Sequence, residues 1–509
     1  MPLKDYVPVK MRTGSSTGPA TQSLDYKEMS PHWNVVDRIL AGRDAMITDK
    51  ALLPKFEGES EASHKNRLDN ARFTNIFRDI VENLTARLFN ARLVLSDGDA
   101  QPLRDFAEDV DGCGNTVHQF SSDVAFHGIS RGLDWILVDY SADGETDGLS
   151  REQERQAGHR PIWRRYSANN VIAAESAYVD GEDVFTHVRL LETAVTRDGW
   201  EDTEHERVRV LNREPVVDLG SGLTTYGPAT WDLYQYDKTA TDEKKKWVLI
   251  DSGVFSIGVI PLVPFLTGRR KGKGWQIYPP MKDAADLQLE YYQQENALKH
   301  IKTMCAYPML SGNGVSPDVD ADGNPKPIVV GPQTVLYATA QTANGSSGTA
   351  YWSFVEPTGE SLRYLSNELA ATSNELRELG RMPLTAQSTN LTVVTTAYAA
   401  KKAGSAVQAW AFTLKDAVQR CMRFTAMWLL LPEQEYVTNA VVTADFDLGL
   451  GDDNALDGLI GMYNSGIIDW DTVIHEAKRR ALLDKDRELV QPTQPPNVKE
   501  QTDGQVEDN

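Results

Sequence analysis

Residues 358–432 read TGESLRYLSNELAATSNELRELGRMPLTAQSTNLTVVTTAYAAKKAGSAVQAWAFTLKDAVQRCMRFTAMWLLLP. Two helical patterns flank a segment without charge. Leu362, Leu365, Leu369, Thr372, Leu376 and Leu379 recur at alternating steps of three and four residues, the spacing of a seam that packs on another helix. Thr358 is placed to cap this helix, Glu360 lies in its first turn where the dipole favours an acid, and Gly380 marks its end. Met382 to Thr396 then contains no ionisable side chain. From about Val394 the apolar residues Val407, Trp410, Ala411, Leu414, Ala417, Val418, Cys421, Phe424, Trp428 and Leu431 recur at helical spacing until Pro432. They predict a rod of roughly 55 Å at a rise of about 1.5 Å per residue. A rod that long exceeds the packing needs of a small domain and implies an assembly.

Upstream, Pro279 and Pro280 open a helix from about Met281 to Met304, proline being tolerated in a first turn. Tyr307 to Pro357 loses helical period and is rich in Gly, Pro, Asn and Asp, with strands expected at Ile328–Val330, Thr334–Ala338 and Tyr351–Val355. Between Arg160 and Pro264, short alternating runs (Val184–Leu191, Arg207–Leu211, Trp231–Tyr236, Trp247–Ile250) predict a β-rich insert. Nearer the N-terminus, helices are expected over Tyr26–Met46, Ser63–Phe89 and Leu103–Gly128, with a strand over Leu133–Val138. Arg67, Arg72, Arg78 and Arg87 read as a solvated helix face pairing with Asp69, Asp79 and Glu82 rather than as a phosphate site. Beyond Pro432, Asn454–Tyr463 and Asp471–Leu483 predict a helical pair, the second capped by Asp469. The Pro-, Gln- and acid-rich stretch from Asp484 is expected to be disordered.

A chain of 509 residues makes three or four structural units at about 100 to 200 residues each. The net charge of -21 and pI near 4.9 exclude a protein that grips nucleic acid through basic phosphate contacts. They leave open a surface past which nucleic acid slides. The three cysteines, Cys113, Cys305 and Cys421, have no partners at metal-ligand spacing and are expected as thiols in a reducing compartment. The polar start, Met1 to about Asp25, is not a signal peptide, and no run approaches the roughly 18 apolar residues that span a bilayer. A soluble protein without membrane contact is expected.

The motifs that could carry catalysis fail on context. Gly128, Ser130 and Gly132 match G-x-S-x-G, but the nucleophile elbow runs from strand into helix. Here a helix precedes the serine and a strand follows it. Gly268 to Trp275 is rich in glycine and lysine without the order of a phosphate-cradling P-loop; it reads as a basic loop. Asp445, Asp447, Asp452 and Asp453 could ligate a cation, although acids in a glycine-bearing loop are usually solvated. No histidine stands in an H-E-x-x-H arrangement. No catalytic residue, metal or cofactor is therefore expected, and the chain is not read as an enzyme.

A resemblance adds to this. The block containing Trp33, Asp37, Gly42, Leu53, Pro54, Glu57, Glu59, Arg67, Leu68, Phe73, Asn75, Arg78, Leu84 and Phe89 resembles the N-terminal region of portal proteins of tailed bacteriophages. So do the run Gly132–Tyr140 and the order helix, small excursion, helix, loop, long helix, C-terminal helices, over roughly residues 26–485. His64 departs from the pattern, standing where an aromatic residue is expected. The resemblance implies an α+β protomer with a mainly helical core, in a ring most often of twelve subunits that forms the DNA channel at one capsid vertex. It implies this division: a wing with a β-rich insert (26–278), a stem helix (279–304), a small α/β clip (305–357), a second stem helix (358–381), a tunnel loop (382–393), a long wing helix (394–431) and a helical crown (432–485); outside it, composition gives a flexible N-terminus (1–25) and a disordered tail (486–509). Implied partners are double-stranded DNA, the terminase large subunit, a head–tail adaptor and the major capsid or scaffold protein. The implied location is the virion's portal vertex, reached from host cytoplasm during assembly. The stem would pack through Leu362, Leu365, Leu369, Leu376 and Leu379.

The tunnel-loop residues Thr385, Gln387, Ser388, Thr389, Asn390 and Thr392 suit a DNA path physically. Hydroxyls and amides exchange hydrogen bonds with water or phosphate without setting register. Lysine or arginine would release counterions and create wells that oppose advance. Two alternatives stand beside this reading: a virion assembly or adaptor protein without a channel, and a metal-dependent nuclease using Asp445–Asp453.

Overall fold

The computed structural model describes residues 18–441, apart from 91, 97, 141–152, 154–155, 157, 180, 218–223, 241–245, 273, 306–308, 314–350, 356–359 and 380–392, together with Trp470. The strands expected at Ile328–Val330 and Thr334–Ala338, the loop residues Thr385 to Thr392, the acids Asp445 to Asp453, both expected helices after Pro432 and the tail lie outside these residues.

Six helices come first. They are α1 (Leu24–Ala41), α2 (Arg43–Thr48), α3 (Glu61–Asp69), α4 (Ile76–Leu88), α5 (Gln101–Phe106) and α6 (Val117–Arg131). A two-residue strand β1 (Val94–Leu95) separates α4 from α5. Ser23, Ser60, Asn75 and Thr116 cap α1, α3, α4 and α6 by accepting from backbone N–H groups in the first turn. Each of the three long helices expected here is broken. Gly42 ends α1, and the acid- and glycine-bearing turn Asp109–Gly114 precedes the Thr116–Gln119 capping box of α6.

The sheets follow in chain order: β2 (Leu133–Tyr140), β3 (Pro161–Ser167), β4 (Val171–Val179), β5 (Glu182–Asp198), β6 (Glu201–Asn212), β7 (Pro215–Val217), β8 (Thr224–Tyr226), β9 (Thr230–Tyr236), β10 (Trp247–Val254), β11 (Leu262–Leu266), β12 (Arg269–Arg270) and β13 (Ile277–Tyr278). An antiparallel five-stranded sheet has the order β10-β9-β6-β5-β4, and a three-stranded one the order β11-β2-β3. Hairpins β7–β8 and β12–β13 stand apart. This is the β-rich insert the alternation predicts.

After it come α7 (Lys282–Cys305), β14 (Met309–Asn313), β15 (Tyr351–Val355), α8 (Glu360–Leu379), α9 (Val393–Trp428) and β16 (Ala440–Val441), the last paired with β1. The expected end of the long helix at Leu431 comes three residues early. Leu430 adopts a left-handed φ of 53°, and Leu431 N–H reaches back to Ala426 C=O, a C-terminal closure that precedes Pro432.

Strand β2 is the middle of the molecule because both its faces are buried. Ile136 and Val138 join a helical core with Phe77, Ile80, Leu84, Val124, Leu414, Val418 and Cys421. Leu133, Trp135 and Leu137, pointing the other way at period two, join a second core with Trp33, Val188, Leu190, Leu211 and Trp275. Helix α9 is tied to this strand layer by indoles. Trp410 Nε1 donates to Thr267 C=O (3.2 Å) and Trp428 Nε1 to Val138 C=O (3.0 Å), while Thr425 Oγ1 accepts from Trp163 Nε1 (2.9 Å).

The break between α3 and α4 has a different cause. Residues 71–75 are in neither helix nor strand, and several of their backbone groups are paired by side chains of α7, more than 200 positions away. Gln288 Oε1 accepts from Ile76 and Phe77 N–H (2.9 Å each), and its Nε2 donates to Thr74 C=O (3.0 Å). Asn296 Oδ1 accepts from Arg72 N–H (2.8 Å), and its Nδ2 donates to Arg72 C=O (2.9 Å). Glu295 takes the Thr74 hydroxyl and pairs with Arg72 (both 3.0 Å). Gln288→Leu would leave the buried Ile76 and Phe77 N–H groups and the half-buried Thr74 C=O without partners, at about 1–3 kcal/mol each. Equilibrium urea unfolding should show a loss of at least about 3 kcal/mol, with exposed Glu290→Ala within about 0.5 kcal/mol of the parent. A Gln288→Leu chain as stable as the parent would refute this role of Gln288.

Candidate functional site

Helices α7 and α8 run antiparallel, because β14 after α7 pairs antiparallel with β15 before α8, from Met309↔Val355 to Asn313↔Tyr351. Thr372 Oγ1 donates to Gln294 Oε1 (3.0 Å), which joins the two helices side by side. The seam on α8 therefore has its partner helix within the same chain. Leu376 is fully buried in the helical core and Leu369 packs at its edge. Leu362 and Leu365 are half-buried. Leu379 departs from the expectation: it is 42% exposed at the helix end, where Arg377 pairs instead with Asp79 of α4 (3.8 Å).

Two rods thus bracket residues 380–392: α8 ends at Leu379 and α9 begins at Val393, as the heptad and apolar patterns predict. The candidate residues Thr385, Gln387, Ser388, Thr389, Asn390 and Thr392 all belong to that outlying segment, so only its two end points are placed. From Val393, α9 runs 36 residues, about 54 Å at 1.5 Å per residue.

The G-x-S-x-G match is a packing motif. Ser130 is buried inside α6 and its hydroxyl donates to His127 C=O (2.8 Å), not to an imidazole. A Cβ on Gly128 would lie 2.4 Å from the Phe265 ring. Gly132 closes α6 at a left-handed φ of 87°, with Ile277 and Pro279 pressed against it. The arginines also differ from a solvated face. Arg67 is buried and pairs with Glu59 (2.8 Å) and Pro54 C=O (2.6 Å), not with Asp69. Arg72 pairs with Glu295, and only Arg78 meets its expected Glu82. The Arg67 guanidinium holds the Glu59 carboxyl down at about 2.

Sequence reasoning missed the buried ionic clusters, whose members are scattered along the chain. Below the five-stranded sheet, Arg209 donates to Glu192 (2.7 Å) and Asp139 (3.3 Å), and Tyr166 O–H donates to Glu192 (2.6 Å). Burial disfavours the Arg209 charge, but the two carboxylates outweigh it and raise its pKa. At the end of α6, Arg131 bridges Asp37 and His127, and Arg165 pairs with Asp123 (2.8 Å) and Asp134 (3.4 Å). Asp134 is 0% exposed. The carboxyl groups of these clusters face guanidinium groups, a structural arrangement rather than a metal cage. Among the described residues no cluster of His, Cys, Asp and Glu could hold a metal, and no helix is long and apolar enough to cross a membrane.

A protein-family model described as a domain of unknown function (DUF4055) matches residues 280–429, from the start of α7 to the end of α9. None of the curated proteins matches the chain in sequence. Among solved structures, the neck of an empty gene transfer agent (GTA) particle computed with C6 symmetry is 13% identical, with 80% of this chain and 88% of that chain covered and a TM-score of 0.39. The neck of the native GTA particle computed with C12 symmetry is 11% identical, with 79% and 88% covered and a TM-score of 0.37.

Asp134, buried in β2, gives the fold a pH signature. Burial raises its carboxyl to about 7, against the pull of Arg165 and Arg131, whereas in the unfolded chain it ionises near 4. The unfolded state alone ionises between those values, so this group's contribution falls as pH rises from about 4 to 7 and is constant above. Asp134→Asn should therefore gain stability relative to the parent between pH 4 and pH 8 in urea unfolding. An offset that does not vary with pH would contradict the assignment.

Proposed function

We propose that this chain is the subunit of a portal: a ring, of twelve copies by the family's habit, through which double-stranded DNA enters and leaves a phage-type capsid. The observation that carries the reading is the unbroken order of an antiparallel helix pair, its terminal strand pair, a charge-free segment and a helix of 36 residues. Together with the N-terminal resemblance, it assigns α7 and α8 as the stem and β14–β15 as the base of the clip. In this reading the clip meets the terminase large subunit during filling and the head–tail adaptor afterwards, and the crown meets the capsid interior and its scaffold. The protein itself performs no catalysis; the motor supplies the work.

The physics required of such a ring is low friction. DNA presents one charge per about 1.7 Å of duplex, so every lysine or arginine on the path would release counterions and deepen a well. Thr385, Gln387, Ser388, Thr389, Asn390 and Thr392 place hydroxyls and amides there instead, and these make phosphate contacts that carry no register. A net charge of -21 per copy repels the duplex within a screening length of about 8 Å at physiological salt. The polyanion is kept off the wall by repulsion and eased past the rim by neutral groups.

Electron microscopy of the purified chain should show rings with an axial hole and residues 382–392 at its rim. Deleting Thr385–Thr392 should leave the rings intact and abolish genome filling in a packaging assay; particles that filled normally would refute the loop's role. Thr389→Lys should slow translocation and steepen its salt dependence. Equal rates for parent and variant across 50–200 mM salt, a range over which phosphate contacts weaken strongly, would count against the low-friction account.

A further inference from the structure

The basic run at Arg269–Lys271 and the long β5–β6 hairpin have no part in the channel described above. The hairpin is longer than the sheet that holds it. β4 pairs with β5 only as far as Leu190, and β9 pairs with β6 only from Arg207, so residues 191–206 form a ribbon of two strands. Its register closes on Asp198↔Glu201 around Gly199 and Trp200. Gly199 has φ +62°, as the first central position of a II′ turn requires. Arg197 pairs with Asp202 (2.9 Å) and Thr196 Oγ1 with His205 Nε2 (2.8 Å), so the ribbon is ordered by its own cross-strand contacts. At its tip Trp200 is fully exposed, at 102%, and Glu201, Glu204 and Glu206 are exposed beside it. A two-stranded ribbon has little stability of its own in water, and a bare indole at its apex is the kind of anchor that dominates interfaces.

The opposite charge lies at the other end of the same strand. Hairpin β12–β13 is fastened to the start of β5: Arg270 pairs with Asp183 (3.8 Å), and Trp275, under the Arg270 guanidinium (3.6 Å), stacks on Phe185 (5.5 Å). Arg269 and Lys271 are exposed there, Lys271 over the exposed Tyr278 ring (4.8 Å), and α9 adds the exposed Arg420 nearby together with Arg423, which pairs with Glu182 (3.4 Å). From Asp183 to the ribbon tip, strand β5 spans roughly 50 Å at about 3.3 Å per residue. An arm that long and straight cannot fold back onto its own patch.

We propose that the Trp200 tip of one copy docks on the Arg269–Lys271 hairpin of the next, in a head-to-tail contact between subunits. Two different surfaces at opposite ends of one strand make a heterologous interface, the class that closes into rings. Charge selects the second copy as occupant: at -21 each, chains repel one another, and the basic hairpin is the surface on which an acidic arm offsets that repulsion. This contact rests on the ring reading and adds the surfaces that would build it.

The test uses charge reversal in the full-length chain. The arm variant carries Glu201→Lys and Glu204→Lys, the patch variant Arg269→Glu and Lys271→Glu; Arg197–Asp202 and Arg270–Asp183 are left intact. By sedimentation velocity at about 150 mM salt, each variant alone should need at least about tenfold more protein than the parent to assemble. An equimolar mixture should assemble like the parent, because each reversed surface then meets its complement. Trp200→Ala should weaken assembly in the same direction. Single variants that assemble normally, or a mixture that fails as its components do, would overturn the contact. Rings unaffected by every variant would sink the arm and leave the channel standing; arm-dependent oligomers with no axial hole would do the reverse.

Discussion

The structure depends on a substitution of partners: side-chain amides on α7 stand where helix carbonyls and N–H groups would otherwise satisfy residues 72–77. Gln288 and Asn296 lie eight residues apart on one face of α7, and between them they pair five backbone groups of the irregular segment and the first turn of α4. Buried backbone groups without partners are strongly unfavourable. The segment therefore cannot leave α7, and α7 cannot shift along its axis without unpairing several groups at once. Hydrophobic contact alone would tolerate sliding; directional hydrogen bonds do not. Helix α7 is thereby held in register against the body, and through Thr372–Gln294 and buried Leu376 the same register passes to α8.

The long helix is fixed by a related device. Its apolar face would pack on the strand layer in several neighbouring positions, since methyl and methylene contacts are not directional. Trp410, Thr425 and Trp428 each take part in one hydrogen bond to a different strand or strand end. Three such bonds along one rod select a single position. The bonds fix the second half of α9, from Trp410 to Trp428.

What the chain discloses in advance follows from the range of the forces involved. Helix α9 and the α8 seam are legible because a 3.6-residue period is a local signal, and the β-rich insert because alternation is another. The break at residues 70–75 is invisible: the apolar spacing of Leu68, Ala71, Phe73 and Ile76 continues through it, and the groups that replace its helix bonds sit on α7. Arg67 misleads for a similar reason. Its charge suggests solvent, but Glu59 and the Pro54 carbonyl satisfy it in place, with the Phe56 ring 4.0 Å from its guanidinium carbon. Ser130 shows the converse, a chemical signature produced by packing, since Phe265 and Pro279 demand the flanking glycines. The seam was half legible: its spacing asks for a helix without saying which, and α7 supplies it from the same chain.

Charge is distributed so that each part of the surface has a different rule. Buried charges are paired, as at Arg67–Glu59 and Arg209–Glu192, because an isolated one would be strongly disfavoured in a low-dielectric core. The segment 382–396 carries none at all. The chain as a whole is acidic, at a net charge of -21, which sets copies and polyanions against one another at short range. Arg269 and Lys271, exposed on one hairpin with Arg420 of α9 close by, are a local reversal of that sign. It sits at one end of β5 while an acidic, tryptophan-tipped ribbon extends from the other, so a single strand holds the two signs roughly 50 Å apart at about 3.3 Å per residue.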